Sequence, residues 1–185
     1  MENNEVIKEQ LENNERLFWS GQPAQGVKIT GSDAFLIPFS LLWGGFAIFW
    51  EAPVISSGAP FFFMLFGIPF VLIGLYLIIG RFFIDAKQRQ NTFYGITDKR
   101  VIIASGLFNQ STNSIYLDSI SEMSVSTKAS GSGTITFGRQ NPMYSMFNSV
   151  SWPGLSKHAV PSFYLIPDVK TVNKIIRENQ EKLKS

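Results

Sequence analysis

The chain has 185 residues, a formal net charge of +2 and 45% hydrophobic residues, a length that holds one ordinary domain beside any apolar spans but no second enzyme-sized module. With no cysteine, disulfide frameworks, thiolate catalysis and cysteine-ligated metals are excluded, and a reducing cytoplasm is compatible. The small net charge hides an asymmetry: residues 1–33 carry three Lys or Arg against six carboxylates, whereas residues 81–185 carry thirteen against seven.

The amino-terminal MENNEVIKEQLENNER is acidic and polar, unlike a secretory leader, so the first apolar segment is expected to be internal and retained. A weak amphipathic helix is predicted over residues 2–18, with Val6, Ile7, Leu11 and Phe18 on one side and Asn pairs lowering its propensity. The aromatic stretch around Trp19 ends at the turn signal Gly21-Gln22-Pro23, and Trp19 suits either a membrane interface or a protein core.

Two uncharged apolar runs follow, Ala34 to Trp50 and Pro60 to Gly80. The second, at about 1.5 Å per helical residue, spans roughly 32 Å, enough for a bilayer core, and the first reaches that range if Ile29–Ser32 or Ala52–Ser57 extend it. Both runs are apolar all round, which predicts a transmembrane hairpin rather than two amphipathic core helices. Pro38 and Pro69 are expected to bend the spans. Gly44-Gly45, Gly67 and Gly74 offer flat faces, either for packing the spans together or for a homodimer. Trp43, Trp50 and Tyr76 are candidates for interfacial placement, and with no charge inside either run the pair reads as an anchor.

The loop EAPVISSGAP between the runs has no Lys or Arg, whereas Arg81, Lys87, Arg89, Lys99 and Arg100 follow the second run, so both termini are expected in the cytoplasm. Beyond Arg81 the pattern changes to short alternating segments. Strands are predicted near 92–96, 100–105, 114–117, 122–128, 134–138 and 159–166, with tight turns at Thr97-Asp98-Lys99 and Gly131-Ser132-Gly133. Several short antiparallel strands in a row indicate a sandwich or small barrel. A final helix starts after the N-cap candidate Asp168 and presents Val169, Val172, Ile176 and Leu183 as its apolar stripe, predicted to close one opening of the barrel.

Residues 139–157, RQNPMYSMFNSVSWPGLSK, form a long irregular stretch. Met143, Tyr144, Met146, Phe147 and Trp152 make it a candidate partner-binding loop, with barrel cover and membrane contact as its other readings.

From about residue 15 onward the chain resembles the bacterial pleckstrin-homology-like membrane proteins. The residues that carry the likeness are Glu15-Arg16-Leu17-Phe18-Trp19-Ser20-Gly21-Gln22-Pro23, the two apolar runs, Phe93-Tyr94-Gly95-Ile96-Thr97-Asp98-Lys99-Arg100, Ile115-Tyr116-Leu117-Asp118-Ser119-Ile120, Gly131-Ser132-Gly133-Thr134-Ile135-Thr136-Phe137 and Phe163-Tyr164-Leu165-Ile166-Pro167-Asp168. The resemblance implies a partly open antiparallel barrel capped by a C-terminal helix, and carries no phosphoinositide specificity with it. The expected fold class is a transmembrane helical hairpin followed by a mainly-β PH-like domain, with boundaries at 1–33, 34–84 and 85–185. The aromatic insertion at 139–157 departs from the pattern.

Catalysis is not expected. His158 is the sole histidine, no nucleophile elbow is present, and Gly131-Ser132-Gly133 lacks the Lys of a phosphate loop, so no catalytic, metal or cofactor residue is assigned. Aromatic and basic residues do not interleave as in a nucleic-acid binder. Arg81, Lys87 and Arg89 are the candidate contacts to anionic lipid, at about 1 kcal/mol each near the surface, their other reading being ordinary stop-transfer charges with no ligand, while Arg100 is expected to bond a carboxylate or carbonyl inside the domain. The function expected is a non-catalytic, membrane-anchored binding or assembly module working through self-association or a membrane protein partner, the alternative being a small transporter or channel accessory subunit.

Overall fold

The computed structural model describes residues 2–29, 33–107, 110–139 and 160–184. They divide into two compact units: the described residues of 27–85 form a helical hairpin, and residues 2–26 join the described residues of 86–139 and 160–184 in a sheet domain. The amino-terminal segment expected to stand apart at 1–33 is thus largely part of the sheet domain.

In the hairpin, α2 runs Asp33–Ser56, and the return helix is continuous over Phe61–Gln90 as α3 (Phe61–Leu75), a π-helical stretch (Tyr76–Gly80) and α4 (Arg81–Gln90). Both are long and apolar enough to cross a membrane. The first helix continues past Trp50 and makes most of the expected loop EAPVISSGAP helical. Pro53 is accommodated within it, the Ser56 and Ser57 hydroxyls donate to the Pro53 and Val54 carbonyls near its end, and Gly58, in the left-handed region at φ 67°, turns the chain. Gly44 and Gly74 pack α2 against α3 backbone to backbone: a Cβ on Gly74 would lie 2.7 Å from Gly44 Cα. Gly45 faces open space.

The sheet domain begins with α1 (Glu2–Lys8), shorter than the predicted helix because residues 17–21 belong to a strand, β1 (Leu17–Gly21). Ile7 is fully buried against Ile102 and Ala104, with Val6 and Leu11 beside it, whereas Phe18 is exposed. β1 pairs antiparallel with β2 (Thr92–Thr97), which pairs with β3 (Arg100–Ser105) and it with β4 (Ser111–Tyr116), giving a sheet in the order β1-β2-β3-β4. A short 3₁₀ turn (Leu117–Ser119) leads to a second sheet of β5 (Met123–Thr127), β6 (Gly133–Phe137) and β7 (Ser162–Ile166), also antiparallel. β4 starts earlier and β7 later than predicted. The sheets do not close into one barrel, for β4 and β5 are not paired.

The two predicted hairpins form. Thr97 Oγ1 accepts from the Arg100 and Lys99 amides, and Gly131, at φ 81°, supplies the left-handed residue between β5 and β6. Tyr94, Ile96 and Val101 of the first sheet, Ile135, Phe137, Phe163 and Ile166 of the second, and Val169, Val172 and Ile176 of α5 (Val169–Lys184) make one buried core. At its centre Phe163 stacks on Tyr94 at 4.6 Å and meets Phe137 edge-on at 5.0 Å. Asp168 Oδ1 accepts from the Thr171 amide at 3.4 Å, in the N-cap manner expected, but Leu183 is exposed and leaves the buried stripe.

Candidate functional site

The three basic residues expected at the lipid surface have different surroundings. Arg81 opens α4 and pairs with Asp33, in the first turn of α2, at 2.8 Å, with both side chains almost wholly buried. Its guanidinium also lies 4.5 Å from the Phe82 ring centroid. Arg89 is buried and donates to the Gly26 carbonyl, while its own carbonyl accepts from Gln25 Nε2 at 3.2 Å. Gln22 Nε2 does the same for the Gln90 carbonyl at 3.1 Å. Residues 22–26 therefore supply the partners that the last carbonyls of α4 lack within the helix. Lys87, on the same helix, is exposed.

Arg100 sits where the sequence placed it, inside the domain. Its Nε and Nη2 reach the two oxygens of Glu15 at 2.9 Å each, Nη2 also donates to the Gln10 carbonyl, and Nη1 lies 3.3 Å from Glu12. The Thr97 hydroxyl donates to Glu15 Oε1 at 2.7 Å. Burial alone would raise the Glu15 carboxyl, but the bonds from Arg100, the Glu12 amide and Thr97 outweigh it and hold the carboxyl below its ordinary value; the same pairing raises the Arg100 guanidinium. This bidentate pair clips the segment before the hairpin onto β3.

Trp19 resolves toward the protein core, packing at 5.8 Å from Phe163. The Tyr94 hydroxyl accepts from the Tyr164 amide at 3.0 Å and so ties β2 of one sheet to β7 of the other. Burial pushes that phenol well above its ordinary range, so it stays protonated.

The sequence reading passed over Glu51, which it placed in the loop. In the structure it is 8% exposed within α2, and its carboxylate lies over Gly67 so closely that a Cβ there would collide with Oε2. Glu51 Oε1 has no hydrogen-bond partner. With Trp43, Trp50, Phe66 and Phe70 it lines a cleft of about 270 Å³ on the hairpin. The available signal was a glycine at position 67 facing a lone acid across an apolar hairpin; Pro53 and Gly58 masked it by reading as helix breakers.

Met143, Tyr144, Met146, Phe147, Trp152 and His158 lie outside the described residues. Among the described residues no cluster of three or more His, Cys, Asp or Glu is arranged to hold a metal ion.

No curated protein and no solved structure matches the chain. A family model described as bacterial PH domain matches residues 39–180, a span that takes in most of the hairpin as well as both sheets, though not β1 or Glu15. The chain belongs to the bacterial PH domain family.

Proposed function

We propose that this chain is a non-catalytic, membrane-anchored binding and assembly module at the cytoplasmic face of a bacterial membrane, crossing it twice with both termini inside and acting through self-association or a protein partner. The observation that carries the anchoring is the exposed apolar surface of the hairpin. Leu42, Phe49 and Phe61 are 74 to 76% exposed, and large apolar residues stand open to the surroundings along both helices. Lipid is the solvent that such a surface requires. The basic residues after the second helix favour the inward orientation, and Lys87 is the side chain we assign to anionic headgroups, with a contribution of about 1 kcal/mol.

Assembly is supported by the sheet edges. β4 (STNSIY) and β5 (MSVST) are edge strands with mostly exposed or half-buried residues, and neither contains a charge or a proline. Those are the devices by which edge strands usually prevent pairing with another chain, so addition of a strand from a second copy or a partner protein suits them. The aromatic segment 143–152 is a second proposed contact to that partner.

Membranes washed with alkaline carbonate should retain the chain, and the chain extracted in a non-ionic detergent should run as a defined oligomer or carry a co-purifying membrane protein by light scattering and mass spectrometry. Release by carbonate rejects the anchor. A monomer with no partner rejects the assembly role.

The buried Glu51 favours one rival, an accessory subunit of a transporter or channel, since intramembrane carboxylates commonly mark ion paths. Ion or proton flux through liposomes holding the purified chain would decide for it.

A further inference from the structure

We propose that the cleft on the hairpin is a binding site for a long-chain amphiphile with a protonated amino group, its ammonium paired with Glu51 and its alkyl chain against the aromatic walls. This goes beyond the assembly role and does not depend on it. A buried carboxyl oxygen without a hydrogen-bond partner is costly. Glu51 is such a group: it is 8% exposed, and Oε1 is buried and without a partner. No Lys, Arg or His occurs between Asp33 and Arg81, so the hairpin has no countercharge at this level. A second copy packed side by side in the same orientation brings the same sequence without a Lys, Arg or His, and so supplies none either. The missing countercharge is therefore expected from outside the chain.

The walls narrow the class of ligand. Trp43, Trp50, Phe66 and Phe70 surround the carboxylate in a cleft of about 270 Å³. Their ring faces attract a cation and their bulk accepts a hydrocarbon chain. Trp50 and Phe66 are 43% and 59% exposed, so the cleft is open to an amphiphile arriving along the hairpin surface. Gly67 is needed for this geometry, because any side chain would occupy the place of the Glu51 carboxylate. The ammonium must carry an N–H to satisfy Oε1, which favours a primary amine over a quaternary one. Such a group is found both on an ethanolamine-type lipid headgroup and on a free alkylamine.

The test uses the full chain in a non-ionic detergent, with Trp19 and Trp152 replaced by Phe so that only Trp43 and Trp50 fluoresce. Quenching by a brominated dodecylamine is compared with quenching by the matching brominated alcohol. The amine is expected to bind about tenfold more tightly than the alcohol, because only it brings a countercharge as well as a donor to Glu51. Glu51→Gln is expected to remove that preference, lowering the amine's affinity far more than the alcohol's. Equal affinities for amine and alcohol in the unsubstituted pocket overturn the proposal, and so does an amine preference that survives Glu51→Gln. If Glu51→Gln does not fold, the amine-versus-alcohol comparison on the native pocket still decides. Repeating the titration in nanodiscs separates the sources: competition by phosphatidylethanolamine over phosphatidylglycerol supports a lipid headgroup, and equal amine binding in both supports a free amine.

Discussion

The hairpin and the sheet domain bury their apolar residues in opposite ways. In the sheet domain Phe163, Ile96, Ile135 and Ile176 are each wholly buried, and the domain supplies its own interior from two sheets and α5. In the hairpin the buried residues are Asp33, Ser40, Gly44, Ala47, Glu51, Gly74, Leu77 and Arg81, mostly small or polar, while the large side chains face outward. The helices of the hairpin thus meet through glycine and polar contacts, in the manner of segments whose surroundings are already apolar. The two units turn opposite kinds of side chain to their surroundings, and substitutions of the same kind should have different effects in each.

The largest difference is expected from truncating a phenylalanine in each unit. Phe163→Ala should destabilise the sheet domain by about 4 kcal/mol, since it leaves a cavity between three aromatic rings. Phe61→Ala, at a site 76% exposed, should leave the hairpin's internal packing unchanged. Denaturant unfolding in detergent, followed by hydrogen exchange resolved along the chain, reads both, and equal losses would break the contrast.

Next is the Glu15–Arg100 pair. Glu15→Ala leaves Arg100 partly buried without its main partner and should cost about 3 kcal/mol. The pair also sets a pH dependence. Glu15 has a lowered value in the folded domain, so its contribution is fully present above the ordinary carboxylate value near 4.5 and is lost as pH falls through the folded value. The denaturant midpoint of the sheet domain should fall on acidification below about pH 4.5, and Glu15→Gln should flatten that limb.

A smaller effect is expected at the helix contact. Gly74→Ala places a methyl group 2.7 Å from Gly44 Cα and should push α2 and α3 apart at a cost of about 2 kcal/mol. Distances between spin labels on the two helices would report it, and an unchanged separation would count against close backbone packing. Smallest is Lys87→Ala, which should alter stability by less than about 0.5 kcal/mol and show itself only as weaker retention of anionic lipid in native mass spectrometry.

Elements decided by local pattern were legible in the sequence: the two apolar helices, the turns at Thr97-Asp98-Lys99 and Gly131-Ser132-Gly133, most strand cores, and the inward face of α5. Arg100 was legible too, since a cation at the head of an otherwise apolar strand needs an internal partner. β1 was not. Leu17–Gly21 is five residues with weak alternation, and it is a strand because the edge of β2 accepts it from the far side of the hairpin. The capping of α4 by Gln22 and Gln25 was hidden for the same reason, as partners more than sixty positions apart leave no local trace. Glu51 was missed because a proline and a glycine close behind it suggested a loop, whereas the helix carries Pro53 and ends only at Ser56.

The pairing of β1 with β2 has a consequence for the order of events at the ribosome. Arg16 bonds Asp98 across 82 positions, so the first strand emerges long before the strand that receives it and must wait while the whole hairpin is made. Such distant closure is slow and leaves an unsatisfied edge in the nascent chain. Completion of the first sheet therefore reports that translation has passed the whole hairpin, so that a chain stalled at the second helix would be left with its first strand unpaired and open to proteolysis.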